Sequence, residues 1–137
     1  MQWDGTTNAG FSAAPREKLY IRQDETPGRP TLEAQKADDN SLYHEVRRLT
    51  AIRQAHPALQ SNGAIEFVYA EKDAYPLAYV RSCGEERLLV ILNPAARPVS
   101  FASPLVPGEA VYAYGGRVSC ENGTISVPPC SAGFYRV

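Results

Sequence analysis

The sequence predicts a mainly β protein: an antiparallel β-sandwich preceded by one amphipathic α-helix and an irregular N-terminal arm. Two observations carry this reading. From about residue 64 to the C-terminus, short apolar segments with a period of two alternate with strong turn signals, and no helical period intervenes. Before them, only residues 40–56 hold a sustained 3.6-residue rhythm. Strands in series without helices between them pair antiparallel and fold into two packed sheets.

The arm comprises residues 1–39. Gly5, Gly10, Pro15, Pro27, Gly28 and Pro30 interrupt it, and only Lys18-Leu19-Tyr20-Ile21 promises local order. A structureless stretch of this length is uncommon inside a compact domain. It nevertheless carries Trp3, Phe11 and Tyr20, which a solvated linker avoids, so it reads as a loop built to pack against something.

The helical segment, residues 40–60, follows. Leu42, Val46, Leu49 and Ile52 form one apolar stripe, with Arg47, Arg48 and Arg53 largely off it. Asp38, Asp39 and Asn40 offer capping oxygens at the start, and Pro57 ends the helix after His56. Such a stripe is expected to be buried, and the sheet is the available partner.

Residues 61–137 form the expected sandwich. Ile65, Phe67 and Tyr69 alternate, as do Leu77, Tyr79 and Arg81, while Leu88 to Leu92 is apolar on both faces, as in a central strand. Further strands are expected around Val99–Phe101, Val111–Tyr114, Val118–Cys120, Thr124–Val127 and Gly133–Val137. The breaks include Asn93-Pro94, Gly115-Gly116 and Asn122-Gly123. Tyr69, Tyr79, Tyr112 and Tyr114 fall in strand rhythm and are expected in or beside the core.

Chemistry-bearing patterns are sparse. A formal net charge of -1 over 137 residues, with both signs scattered, gives no reason to expect a nucleic-acid or membrane-surface partner. No apolar run reaches the ~20 residues of a membrane helix. Three cysteines, Cys83, Cys120 and Cys130, lack metal-type spacing and are expected as free thiols. His44 and His56 would lie about 18 Å apart along a helix, too far for one metal, so no metal or cofactor is expected. The acidic pairs Asp24-Glu25, Asp38-Asp39 and Glu85-Glu86 sit in turns and helix starts and are expected to be solvated or capping. Asn122-Gly123-Thr124 fits a glycosylation sequon, but a two-residue hairpin turn explains it better. No catalytic residue is assigned.

Four motifs carry a resemblance. Met1-Gln2-Trp3-Asp4, followed by Asn8-Ala9-Gly10-Phe11, resembles a stretch of the α-amylase superfamily, glycoside hydrolase family 13, in its oligo-1,6-glucosidase, α-glucosidase and trehalose synthase branch. Residues 40–59, through Arg47-Arg48-Leu49 to His56-Pro57-Ala58-Leu59, resemble the final helix of that family's (β/α)8 barrel. Arg87-Leu88-Leu89-Val90-Ile91-Leu92-Asn93-Pro94 resembles a strand of its C-terminal β-domain, and Val127-Pro128-Pro129-Cys130-Ser131-Ala132 that domain's closing motif.

The resemblance implies a long barrel loop for residues 1–39 and a glycosidase C-terminal domain for residues 61–137. The family's catalytic Asp, Glu and Asp precede the first motif, so this chain alone is expected to be no enzyme, with Met1 an internal methionine of a longer protein. It implies a barrel as partner and α-glucosides reached only through it; the cysteine reading and the polar start of the chain, which lacks the apolar run of a signal peptide, give the expectation of a cytoplasmic setting. Trp3, Asp4, Asn8 and Phe11 would border the sugar site of the whole enzyme, or else anchor the loop structurally; both readings stand. The exposed helix stripe would favour self-association. A stand-alone carbohydrate-binding sandwich is the alternative, with Trp3 and the tyrosines stacking on sugars.

Overall fold

A computed structural model describes residues 1–137. The chain forms two compact units, Met1–Thr50 and Ala51–Val137.

The second unit holds eight strands: β1 (Ala64–Tyr69), β2 (Leu77–Cys83), β3 (Glu86–Asn93), β4 (Val99–Ala102), β5 (Ala110–Tyr114), β6 (Ser119–Glu121), β7 (Thr124–Val127) and β8 (Ser131–Arg136). They make a five-stranded sheet in the order β1-β2-β3-β8-β5 and a three-stranded sheet in the order β4-β7-β6. Every pairing is antiparallel. The core lies between the sheets, where Ala78, Val80, Leu89, Ile91 and Tyr135 of the large sheet meet Val99, Phe101, Ile125 and Val127 of the small one. Leu88 and Val90, on the opposite face of β3, are also buried. That is why this strand is apolar on both faces. Each fully buried Leu, Ile or Val in such a core contributes about 1.5–3 kcal/mol.

Turn chemistry sets the register. Asn122 and Gly123 both take positive φ, 50° and 75°, as a two-residue hairpin between β6 and β7 requires. Asn93 is fully buried at the end of β3, and its amide donates to Arg97 O (3.0 Å) and Pro128 O (2.7 Å). Its own Oδ1 accepts the Ala95 N–H at 3.1 Å. One side chain thus ties the β3–β4 connection to the β7–β8 connection. Gly133 leaves room for the Tyr135 ring, which would lie 2.4 Å from any Cβ there. The phenol so placed accepts the Val118 N–H. Tyr112 is buried and packs on Phe134, centroids 5.0 Å apart, and Tyr69 packs on Phe101. Tyr114 departs from expectation: at the end of edge strand β5, it is exposed.

The first unit contains the short helix α1 (Leu32–Ala37) and most of α2 (Leu42–Ala55). α1 lies in the stretch read as irregular. Thr31 caps it by accepting the Ala34 N–H, and Gln2 O and Trp3 O accept the N–H groups of Leu32 and Glu33. α2 is capped differently from the sequence reading. Ser41 Oγ accepts the His44 N–H, and Gln35 Oε1 accepts the Tyr43 N–H. Asp38 serves Asn40 N–H instead. The α2 stripe is also less buried than expected: Leu42 is 70% exposed and Val46 53%, while Leu49 and Ile52 are half-buried.

The acidic pair Glu85-Glu86 requires a further correction. Glu86 is not a solvated turn residue but a partner of the segment that leaves α2. Its Oε1 accepts from His56 Nδ1 (2.6 Å) and its Oε2 from Ala58 N (2.8 Å). Cys83, Cys120 and Cys130 carry free thiols. No helix is long and apolar enough to cross a membrane.

Candidate functional site

The arm is built on hydrogen bonds between its two motif halves. Trp3 N–H donates to Ala9 O at 2.8 Å, and Asp4 N–H to the same oxygen at 3.4 Å. Asn8, Ala9 and Gly10 run consecutively through left-handed space, with φ of 52°, 55° and 67°. Only glycine adopts that region without strain, so holding Asn8 and Ala9 there costs energy that surrounding contacts offset. Asn8 supplies several of those contacts. Its Nδ2 donates to Ser12 O and Ala14 O, both at 2.7 Å, and its own carbonyl accepts from Gln23 Nε2 at 2.9 Å. Ala9 is buried beneath the turn. At Gly10 a Cβ would sit 2.5 Å from Asp4 Oδ2, so the sequence needs glycine there for space as well as for φ.

Asp4 itself accepts from the Thr6 hydroxyl (2.6 Å) and Thr6 N–H (2.8 Å). Those two bonds, the hydroxyl's first, hold its carboxyl below the usual aspartate range. The four residues singled out by sequence therefore divide by geometry. Asp4 and Asn8 direct their polar groups into the turn, whereas the Trp3 and Phe11 side chains are exposed.

Beside the turn lies an open hollow of about 470 Å³. Asn8 and Phe11 line it together with Gln2, Tyr20, Ile21 and Gln23; Trp3 and Asp4 do not. Tyr20 is wholly exposed and Ile21 nearly so. Gln2 Oε1 is a buried acceptor without a hydrogen-bond partner, which is uncommon in folded proteins. Sequence reasoning named Tyr20 and Ile21 as local order, Tyr20 also as an aromatic a linker avoids, and Gln2 only as a motif letter; it missed Gln23. The Gln23 signal is a bond to Asn8 O fifteen residues away, which spacing does not encode.

Nothing in the hollow resembles a catalytic pair. Asp24 is its one acidic lining residue, and that carboxylate accepts from Thr26 N–H at 2.9 Å. No three His, Cys, Asp or Glu side chains converge anywhere in the chain.

The fold and the buttressed arm define a class: a two-sheet antiparallel sandwich carrying a helix and a tightly turned loop. No family model matches the chain. Curated relatives do. A probable α-glucosidase of Rhizobium meliloti is 30% identical over the full chain, which covers 24% of that protein. The oligo-1,6-glucosidase of Parageobacillus thermoglucosidasius is 32% identical over 76% of the chain, covering 18% of the enzyme. The trehalose synthase of Thermus thermophilus is 30% identical along the whole chain, covering 14% of that protein. Among solved structures, the trehalulose synthase MutB from Pseudomonas mesoacidophila superposes with a TM-score of 0.81 at 27% identity. The match covers 98% of this chain and 24% of MutB. The chain thus spans a quarter or less of each of these proteins. It resembles the C-terminal part of α-amylase-superfamily (glycoside hydrolase family 13) enzymes of the α-glucosidase, oligo-1,6-glucosidase and trehalose synthase kind.

Proposed function

We propose that this chain is a non-catalytic portion of a larger enzyme acting on α-glucosides, and that it stabilises a catalytic (β/α)8 barrel. The observation that carries the reading is the apolar surface left bare on the first unit: Leu42 and Val46 on α2, and Phe11, Tyr20 and Ile21 in the arm. A self-sufficient domain seldom leaves so many large apolar side chains uncovered close together in sequence. A barrel would cover them.

In that whole enzyme Trp3, Asp4, Asn8 and Phe11 border the substrate entrance, in two roles. Asp4 and Asn8 hold the left-handed turn, and Trp3 and Phe11 present the contact surface. Left-handed backbone at the non-glycine residues Asn8 and Ala9 supports this, because such strain gathers at functional loops. The unpartnered Gln2 Oε1 supports it as well, since a missing donor would complete it.

A second reading, a stand-alone carbohydrate-binding sandwich, is favoured by the exposed aromatic rings of Phe67 and Tyr114 on the edge strands β1 and β5. Two experiments separate the readings. This chain is grafted in place of the matching C-terminal quarter of the Rhizobium meliloti relative, and the chain alone is titrated with maltoheptaose. The barrel-stabilising reading expects an active graft, an inactive truncation and no saturable binding. Saturable binding by the chain alone, with a graft no better than the truncation, favours the binding module.

A further inference from the structure

The segment leaving α2 is held on both sides of a single residue. Ala58 has no exposed surface, and Pro57–Leu59 lies against β2 and β3. The Ala58 N–H donates to Glu86 Oε2 at 2.8 Å, and its carbonyl accepts from Arg81 Nε at 3.0 Å. Arg81 Nη2 donates onward to Gln60 O at 2.5 Å, and His56 Nδ1 to Glu86 Oε1 at 2.6 Å. A carboxylate at the start of β3 and a guanidinium on β2 therefore grip one stretch of backbone from opposite ends. Gly63 completes the fit, because a Cβ there would lie 2.4 Å from Ala58 O.

The two grips respond differently to acid. Acid neutralises a carboxylate but leaves a guanidinium charged. Protonation removes the charge assistance from both bonds Glu86 accepts. The charged groups facing Glu86 are His56 from the segment after α2 and Arg136 from β8, the latter 3.4 Å from Glu109. Arg81 on β2 lies across Ala58.

We propose that the Glu86 side of this grip is an acid-released latch: protonating Glu86 loosens the Ala58 N–H and His56 from the start of β3, while Arg81 keeps Ala58 O and Gln60 O against β2 and the sandwich core stays folded. Burial pushes the Glu86 carboxyl up, but the Ala58 N–H, the His56 ring and its charge, and Arg136 together outweigh it and hold the group below the usual glutamate range. A folded value below the unfolded one places the stabilisation fully above the unfolded pKa, and it is lost as pH falls through the folded value. The latch is therefore shut at neutral pH and opens in acid.

The test is amide hydrogen exchange on the full chain, expressed as protection factors so that the intrinsic pH dependence drops out. Ala58 is compared with Ile91 in the buried centre of β3. Between about pH 6 and pH 3, Ala58 protection falls by about tenfold or more while Ile91 keeps its own, the size expected for losing charge-assisted bonds to a buried N–H. Glu86→Gln shows the low Ala58 protection already at about pH 6 and little further change in acid. Ala58 and Ile91 losing protection together, or Glu86→Gln matching the parent chain at neutral pH, overturns the proposal. If the variant does not fold, carbon-13 titration of Glu86 in the parent chain decides instead. The Ala58 amide shift must move with the same midpoint as the Glu86 carboxyl, and a different midpoint refutes the latch.

Discussion

Asn93 shows how much one buried amide can hold. It has no exposed surface and satisfies Arg97 O, Pro128 O and Ala95 N–H at once, across two turns 35 residues apart. Asn93→Ala removes the side-chain partner of Arg97 O and Ala95 N–H, while Pro128 O keeps the Ser131 hydroxyl, at about 1–3 kcal/mol for the site. A lower urea midpoint with unchanged slope is the expected result. Gly10 makes the same argument through backbone geometry. Gly10→Ala forces a Cβ into φ of 67° beside Asp4 Oδ2, a cost of about 1–2 kcal/mol borne by the arm. The Ala9 N–H bonded to Thr6 O should then exchange faster, while amides of β3 keep their rates. At this scale the sequence was only partly legible. Asn93-Pro94 and Asn8-Ala9-Gly10 could be recognised as a turn signal and as part of a motif. That Asn93 would be buried against Pro128 depends on tertiary pairing that local spacing does not contain. Glu86 is the same case: read as solvated or locally capping, it instead takes partners about thirty residues away.

Elements were more legible, for a physical reason. Strand period and turn chemistry are local, so every segment read as a strand coincides with one of the eight observed, and α2 falls within residues 40–56. α1 escaped because six residues hold less than two turns, too few for an apolar rhythm to emerge. Its caps come from Thr31 and from the carbonyls of Gln2 and Trp3, far earlier in the chain. The burial of the α2 stripe was misjudged for another reason: periodicity says which face is apolar, not what covers it. Because Leu42 and Val46 are exposed, the double change Leu42→Glu with Val46→Glu should cost little stability, within about 0.5 kcal/mol. It should also abolish any concentration-dependent association seen in sedimentation of the parent chain. Association that survives both changes would place the sticky surface elsewhere.

For the whole molecule, the eight strands, the two-sheet core and the relatives agree on the architecture of a family 13 C-terminal part. Its activity is not legible from the chain, because function resides in sites and the chain spans a quarter or less of the enzymes it resembles. On the proposed non-catalytic reading, the chain alone is expected to release no glucose from maltose or isomaltose, at any enzyme concentration a glycosidase assay tolerates. Turnover abolished by mutating a carboxylate of this chain would contradict that expectation. The most direct measurement is to read the coding DNA upstream of Met1 in the same frame. The account predicts an open frame running back into a (β/α)8 barrel that carries the family's Asp, Glu and Asp. A stop codon or an unrelated sequence immediately upstream would contradict it, and the exposed rings of Phe67 and Tyr114 would become the place to look for a function.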